Sequence, residues 1–308
     1  MCAKVITQTN MPNLVHRGKV RDTYDLGDGL LLMVATDRIS TFDVVHPTGI
    51  PYKGMVLARL SAFWFQKTRH IVPNHFVGMA DDPQVQERLK DNPVFEAMSP
   101  EIARQAMVIR RAERIDIECV ARGYLAGSAW TEYGKSGTAF GQPLPRGLME
   151  ASKLSRPVFT PTTKAETGHD ESMSHDQVVQ MVGKDMAARL QKATLDIYSL
   201  GHDYALTRGI ILADTKVEFG IIDGNLALID ELLTSDSSRF WDKASYRPGQ
   251  SPPSFDKQPV RDWGVAQGWN KQQPAPALPP EVVTATTERY LEAYRLLTGE
   301  KLKVEGDL

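Results

Sequence analysis

The clearest chemical pattern in the chain lies in Ala213-Asp214-Thr215-Lys216-Val217-Glu218-Phe219-Gly220. Side chains of a β-strand alternate between faces, so a strand here puts Asp214, Lys216 and Glu218 on one side and Val217, Phe219 and Ile221 on the other. With Asp223-Gly224-Asn225 as a three-residue hairpin loop, Ile222 pairs with Leu226, and counting back sets Glu218 opposite Asp230. Like charges facing each other destabilise a sheet, so this pair calls for a compensating cation. Mg²⁺ suits it, being a hard ion commonly held by one or two carboxylates and completed by water and nucleotide phosphates. Glu218 and Asp230 are therefore candidate metal ligands, with Lys216 on the same face to meet phosphate charge. The alternative is an exposed hairpin face on which Lys216 merely bridges acids, and a two-residue turn would offset the pair by one position.

Other segments carry phosphate-binding chemistry. In His16-Arg17-Gly18-Lys19-Val20-Arg21-Asp22, Gly18 lets backbone N–H groups approach a polyphosphate while Lys19 and Arg21 add charge; a solvated basic strand is the alternative. The segment is neither GxxxxGK[ST] nor GxGxxG, so P-loop, protein-kinase and Rossmann readings lack their fingerprints. Arg122 precedes Gly127-Ser128, where a helix can open and its free N–H groups and the Ser128 hydroxyl can hold a phosphomonoester; an ordinary cap is the competing reading. Arg239 can fork onto phosphate or carboxylate and Asp236 can accept from ribose or amine donors, against plain turn and cap roles for Asp236 and its neighbours. Lys164 and Asp170 fall in polar stretches suited to a loop over a site, and Asp37, Arg38 and Ser40 in one that follows a buried strand. The histidines show no zinc-binding spacing, and Cys119 sits in an apolar context as a small hydrophobe.

These groups need a frame. Residues 15–35 read as a hairpin turning at Gly27-Asp28-Gly29, residues 107–121 as two short strands or one bent one, and 209–213 with 216–222 as strands returning through 226–232. Helical spacing marks 53–67, a helix opening at Ser128, a long helix from about 175 behind a Ser174/Gln177 capping box, and a closing helix over 281–297. Residues 247–280, rich in Pro, Gly, Ser and Gln, read as a surface excursion. The chain is α+β.

Composition narrows the function classes. The 308 residues suffice for about two structural units, and 42% apolar with 24% charged residues is ordinary for a packed domain. A formal charge of −2 lacks the basic footprint of a dedicated nucleic-acid binder, and no apolar run approaches the roughly 20 residues needed to span a bilayer. Two cysteines, Cys2 and Cys119, and an N-terminus without a secretory apolar core point to a reducing, cytoplasmic compartment.

Taken together the motifs closely resemble one family, phosphoribosylaminoimidazole-succinocarboxamide synthase, or SAICAR synthetase. GKVRD (18–22), ATDRISTFD (35–43), GIPYKG (49–54), IECVARGYLAGSAW (117–130), FTPTTKAE (159–166), ADTKVEFG (213–220), DSSRFWD (236–242) and SFDKQPVRDW (254–263) carry the match. The resemblance implies an ATP-grasp-related α+β fold with nucleotide between two β-containing lobes, an N-terminal β-rich lobe over 1–115 and a larger α+β lobe over 116–308. It implies an ATP- and Mg²⁺-dependent ligation of carboxyaminoimidazole ribotide (CAIR) with L-aspartate through an acyl phosphate, with these small molecules as partners and the oligomeric state left open. By the family's motifs Gly18, Lys19 and Arg21 lie at the ATP phosphates, the strand carrying Glu118 at the adenine, and Glu218 and Asp230 at Mg²⁺. Lys216 stands beside the metal pair as an ATP-binding and catalytic residue, Arg122, Ser128, Asp236 and Arg239 hold the ribotide, Lys164, Asp170 and Asp214 lie near its reacting end, and Asp37, Arg38 and Ser40 form the aspartate pocket. One departure is Asp116, where the family commonly has Pro. The rival readings are a non-catalytic nucleotide-binding protein, disfavoured because Lys216, Glu218 and Asp230 are all present, and a small-molecule kinase of the same fold acting on a hydroxyl without aspartate.

Overall fold

The structure, a computed structural model, describes residues 4–139, 142–164 and 171–304. Asp170 lies outside these residues. Two antiparallel sheets frame the cleft. The first runs Leu14–Arg17, Arg21–Gly27, Leu30–Ala35, Ala106–Arg110, Phe76–Met79 in spatial order. The second runs Lys153–Phe159, Glu113–Tyr124, Ile210–Ile222, Asn225–Ile229, with Ser238–Asp242 also paired to Ile210–Ile222 and Thr162–Thr163 to Glu113–Tyr124.

Both hairpin turns are one residue tighter than the sequence suggests. Gly27 pairs directly with Leu30, and Ile222 with Asn225, so each loop is an Asp-Gly pair. Asp28 and Gly29 take φ 49° and 72°, Asp223 and Gly224 φ 50° and 73°. Such doubly left-handed turns match the right-handed twist of the flanking strands, which a three-residue loop would have to recover with a bulge. The consequence is a correction: Glu218 stands opposite Ile229, not Asp230, and on its other side opposite Glu118. Asp230 follows the strand end with φ 68°. The first strand is also split, because Gly18 turns back on itself, its N–H donating to the Arg21 carbonyl at 2.7 Å.

The alternation along Ile210–Ile222 holds. Val217 and Phe219 are buried in the main core with Leu190, Ile197 and Tyr198 of the helix Lys184–Thr207, while Asp214, Lys216 and Glu218 line the cleft. The Ser174 capping box forms as read, but the long helix breaks at Gly183 (φ 82°) into His175–Val182 and Lys184–Thr207. Helices Lys53–Thr68, Ser128–Ser136 and Pro280–Thr298 also form. The 247–280 segment is more than an excursion: it contains the helix Gln258–Ala266, whose Val260 is buried with Ile39, Ile50 and Leu278. A polar, proline-rich composition masked its short apolar face. Among the described residues no helix is long and apolar enough to cross a membrane.

Candidate active site

Two cavities of about 770 and 300 Å³ open side by side and share Glu118, Lys216, Asp236 and Arg261 in their walls. The larger is lined by Gly18, Lys19 and Arg21 of the first sheet and by Glu218 and Asp230 of the second; the smaller by Arg122, Ser128, Asp214 and Arg239. Phosphate-type residues far apart in the sequence, 18–21 on one side and 122, 128 and 239 on the other, thus occupy adjoining compartments, with Lys216 at their junction.

At that junction, Glu118 and Glu218 face each other across adjacent strands, and each takes its own cation. Lys216 Nζ donates to Glu118 at 2.6 Å, and Lys164 donates to Glu218. Burial works against the Lys216 ammonium, yet Glu118 and then Glu218 raise its pKa above the ordinary lysine value. Arg21 spans Asp230 at 2.8 Å and Glu231 at 3.3 Å. Burial opposes its charge too, and Asp230 with Glu231 more than restores it. His75 Nε2 lies 3.2 Å from the Asp230 carbonyl; a carbonyl only accepts, so Nε2 carries the proton. Burial drops the His75 pKa to about 4, so the ring is neutral.

In the smaller compartment Asp214 binds both guanidinium groups, Arg122 at 3.1 Å and Arg239 at 2.9 Å, and Thr160 accepts from Arg122 Nε at 3.1 Å. Burial holds Arg122 below the ordinary arginine pKa, offset by Asp214. Gly127, at φ 57° before Ser128, lets Arg239 lie against the helix start: a Cβ there would stand 2.8 Å from its Nη2. Ser128 is exposed on the cavity wall.

Three predicted residues have structural partners that the sequence did not reveal. Asp37 is buried and accepts from the backbone N–H groups of Ile6 at 2.7 Å and Gly54 at 2.9 Å, pinning the start of helix Lys53–Thr68. It does not line either compartment; burial pushes its pKa up to about 6 against those two hydrogen bonds. Arg38 likewise faces the scaffold, donating to the Gly18, Lys19 and Thr7 carbonyls and to Asp22, so it props the Gly18 turn from behind. Asp236 is held by Lys53 at 2.7 Å and Tyr290 at 2.6 Å; against burial, the charge of Lys257 and then that of Lys53, with those two hydrogen bonds, keep its carboxyl well below the usual range. Ser40 remains on the wall of the larger cavity, and Lys19 is paired with Asp43 at 2.7 Å.

Among the described residues no group of three or more His, Cys, Asp or Glu is placed to hold a metal. Glu218 and Asp230 nevertheless supply hard oxygen donors to one cavity, a set that fits an ion completed by phosphates rather than an all-protein cage. Sequence reasoning gave no role to His75, Glu231, Lys53, Lys257, Tyr290 or Arg261. Lys257 and Arg261 sit inside the SFDKQPVRDW motif, one helical turn apart, which was the available signal.

Comparison with known proteins agrees with this geometry. The family described as SAICAR synthetase matches residues 14–276. A phosphoribosylaminoimidazole-succinocarboxamide synthase of Thioalkalivibrio sulfidiphilus is 50% identical over 293 residues, 94% of this chain and 96% of that protein. One from Geobacter metallireducens is 47% identical over 302 residues, covering 97% and 99%. A solved structure, SAICAR-synthase from Saccharomyces cerevisiae complexed with SAICAR, superposes with a TM-score of 0.87 at 41% identity, covering 97% of this chain and 100% of that one. The chain therefore belongs to the SAICAR synthetase family, the ATP-dependent ligases that join CAIR and L-aspartate in purine biosynthesis.

Proposed function

We propose that the larger compartment holds ATP and the smaller one CAIR, and that the reaction runs through an acyl phosphate at their junction. A carboxylate is a poor acyl donor. Transfer of the γ-phosphoryl group to a carboxylate oxygen of CAIR gives ADP and a mixed anhydride; the L-aspartate amine then attacks the acyl carbon, phosphate leaves with the C–O bonding pair, and the nitrogen loses a proton. The observation that carries this assignment is the sharing of Lys216 by both cavities, which puts one cation where a phosphoryl group must cross.

In this reading Gly18, Lys19 and Arg21 bind the polyphosphate, with Arg38 holding the turn that presents them. Glu118 and its strand flank the nucleotide. Arg122, Arg239 and Ser128 bind the ribotide phosphate, and Asp236 receives a ribotide donor. Lys164 and Lys216 stabilise the transferring group, and Asp214 orients the two arginines. Asp170 stays assigned to the reacting end by its motif alone. Glu218 and Asp230 would hold Mg²⁺, which when bound supplies charge neutralisation at the phosphates. Glu218 and Asp230 are paired with Lys164 and Arg21, so metal and nucleotide would bind as a unit: as Glu218 and Asp230 took the ion, Lys164 and Arg21 would be freed to meet phosphate.

The lobe boundary near 115/116 is supported by the sheets, one built from residues up to 110 and the other from 113 onward. Cytoplasmic residence is supported by cysteine usage, Cys119 being a buried free thiol. The test is ADP release by purified protein with ATP, Mg²⁺, CAIR and L-aspartate, omitting each in turn. Release that requires all of them, with succinocarboxamide product, supports the reading; release with CAIR alone at full rate would identify a kinase.

A further inference from the structure

The acceptor amine arrives on a molecule with two carboxylates, so the cleft needs positive charge that neither its own acids nor the nucleotide consume. Among the lining cations Lys216 is on Glu118, Lys164 on Glu218, Arg21 on Asp230 and Glu231, and Arg261 on Asp256 at 3.0 Å. Lys257 differs. Its side chain is only 17% exposed, and among the described residues its sole ion-pair partner is Asp236, at 3.8 Å and beyond hydrogen-bond reach. Each Asp236 oxygen already takes a closer donor, one from Lys53 at 2.7 Å and the other from Tyr290 at 2.6 Å. Lys53 and Lys257 share the single Asp236 carboxylate, so this cluster keeps one positive charge in excess on the wall of the larger cavity. A largely buried, unbonded ammonium is costly unless a ligand completes it.

The position selects the ligand. Lys257 lines the larger cavity, but unlike the metal carboxylates and the Gly18 turn it stands next to Asp236 and Arg261, two residues that wall both compartments. Ser40 lines the same cavity and offers a hydroxyl. We propose that Lys257 is the anchor for a carboxylate of the amino-acid acceptor, and that its charge selects a dicarboxylate over a neutral amino acid. The inference rests on the ligase reading above.

Lys257→Gln and Lys257→Arg test it, with steady-state kinetics varied separately in ATP, CAIR and the amino acid. Lys257→Gln should raise the KM for L-aspartate tenfold or more, leave the KM for ATP and CAIR within about twofold, and erode the preference for L-aspartate over L-asparagine; Lys257→Arg should restore part of each. An unchanged KM for L-aspartate in a folded Lys257→Gln protein overturns the assignment, as does a rise confined to ATP or CAIR. If Lys257→Gln does not fold, a folded Lys257→Met variant with an unchanged KM for L-aspartate overturns it as well. Parent enzyme that releases ADP at full rate without any amino acid would instead refute the ligase reading itself.

Discussion

Lys53→Met is the most informative single perturbation of the scaffold. Lys53 opens the helix Lys53–Thr68 with no exposed side-chain surface, and its ammonium bonds Asp236 at 2.7 Å. Methionine nearly matches the stem, so the change removes charge with little cavity. What remains is a buried Asp236 carboxylate with only the Tyr290 hydroxyl and a more distant Lys257. Breaking a buried pair from one side typically costs about 3–5 kcal/mol, most of it from the orphaned partner. For a chain of this size that lowers the melting temperature by on the order of 10 °C. Urea unfolding of the parent, Lys53→Met, Asp236→Asn and the double variant separates the pair from its parts. The double variant should recover part of the loss, because it leaves no uncompensated charge. A cost under about 1 kcal/mol for Lys53→Met, or strict additivity in the cycle, would refute the claim that these groups hold each other in place.

Glu218→Gln should abolish turnover and weaken Mg²⁺·ATP binding; near-parental activity would remove Glu218 from the metal role. Arg38→Lys keeps the charge but loses the fork that holds the Gly18 and Lys19 carbonyls, so the KM for ATP should rise several-fold with that for CAIR unchanged, which paired titrations would show. Asp37 has its folded pKa raised to about 6 by burial, so the stability this group contributes is full below its ordinary value near 3.8 and is lost as pH rises through about 6. The stability advantage of the parent over Asp37→Asn should accordingly shrink between pH 4 and 7; a constant gap would exclude the shift. Gly123→Ala would place a Cβ 1.9 Å from the Tyr198 hydroxyl, itself bonded to the Leu212 carbonyl at 2.8 Å. That overpacking should cost a few kcal/mol in urea unfolding, partly relieved by Tyr198→Phe.

Much of the frame was legible because it rests on periodicities. The period-2 run through Asp214, Lys216 and Glu218 separates cleft from core as read, and the Ser174 capping box starts a helix where expected. The errors fall where one residue decides. A hairpin one residue tighter moves Glu218 from Asp230 to Ile229, because strand register is set by the turn and Asp223-Gly224 forms the two-residue, doubly left-handed loop that Asp-Gly favours, leaving Asn225 to the strand. A single Gly183 in a positive-φ conformation divides a continuous apolar stripe into two helices.

The site was legible as a set of residue types and much less as a set of contacts. Phosphate-type cations and paired acids announce themselves locally, but what each one touches is settled across long stretches of chain: Arg21 meets Asp230 209 residues away, and Lys53 meets Asp236 at a separation of 183. No spacing rule reaches that far. This is why Asp37 and Arg38, conspicuous in a polar loop, prove to spend their hydrogen bonds on the helix start and the Gly18 turn, while Lys53 and Lys257, inconspicuous lysines, flank the carboxylate at the junction of the two compartments. A polar side chain in a cleft loop is equally able to hold substrate or to hold the loop, and only the partner decides. In this cleft one carboxylate, Asp236, is shared by two ammonium groups, the closer Lys53 and the more distant Lys257, so the positive charge in excess after the protein has paired its own groups marks where an anionic substrate belongs.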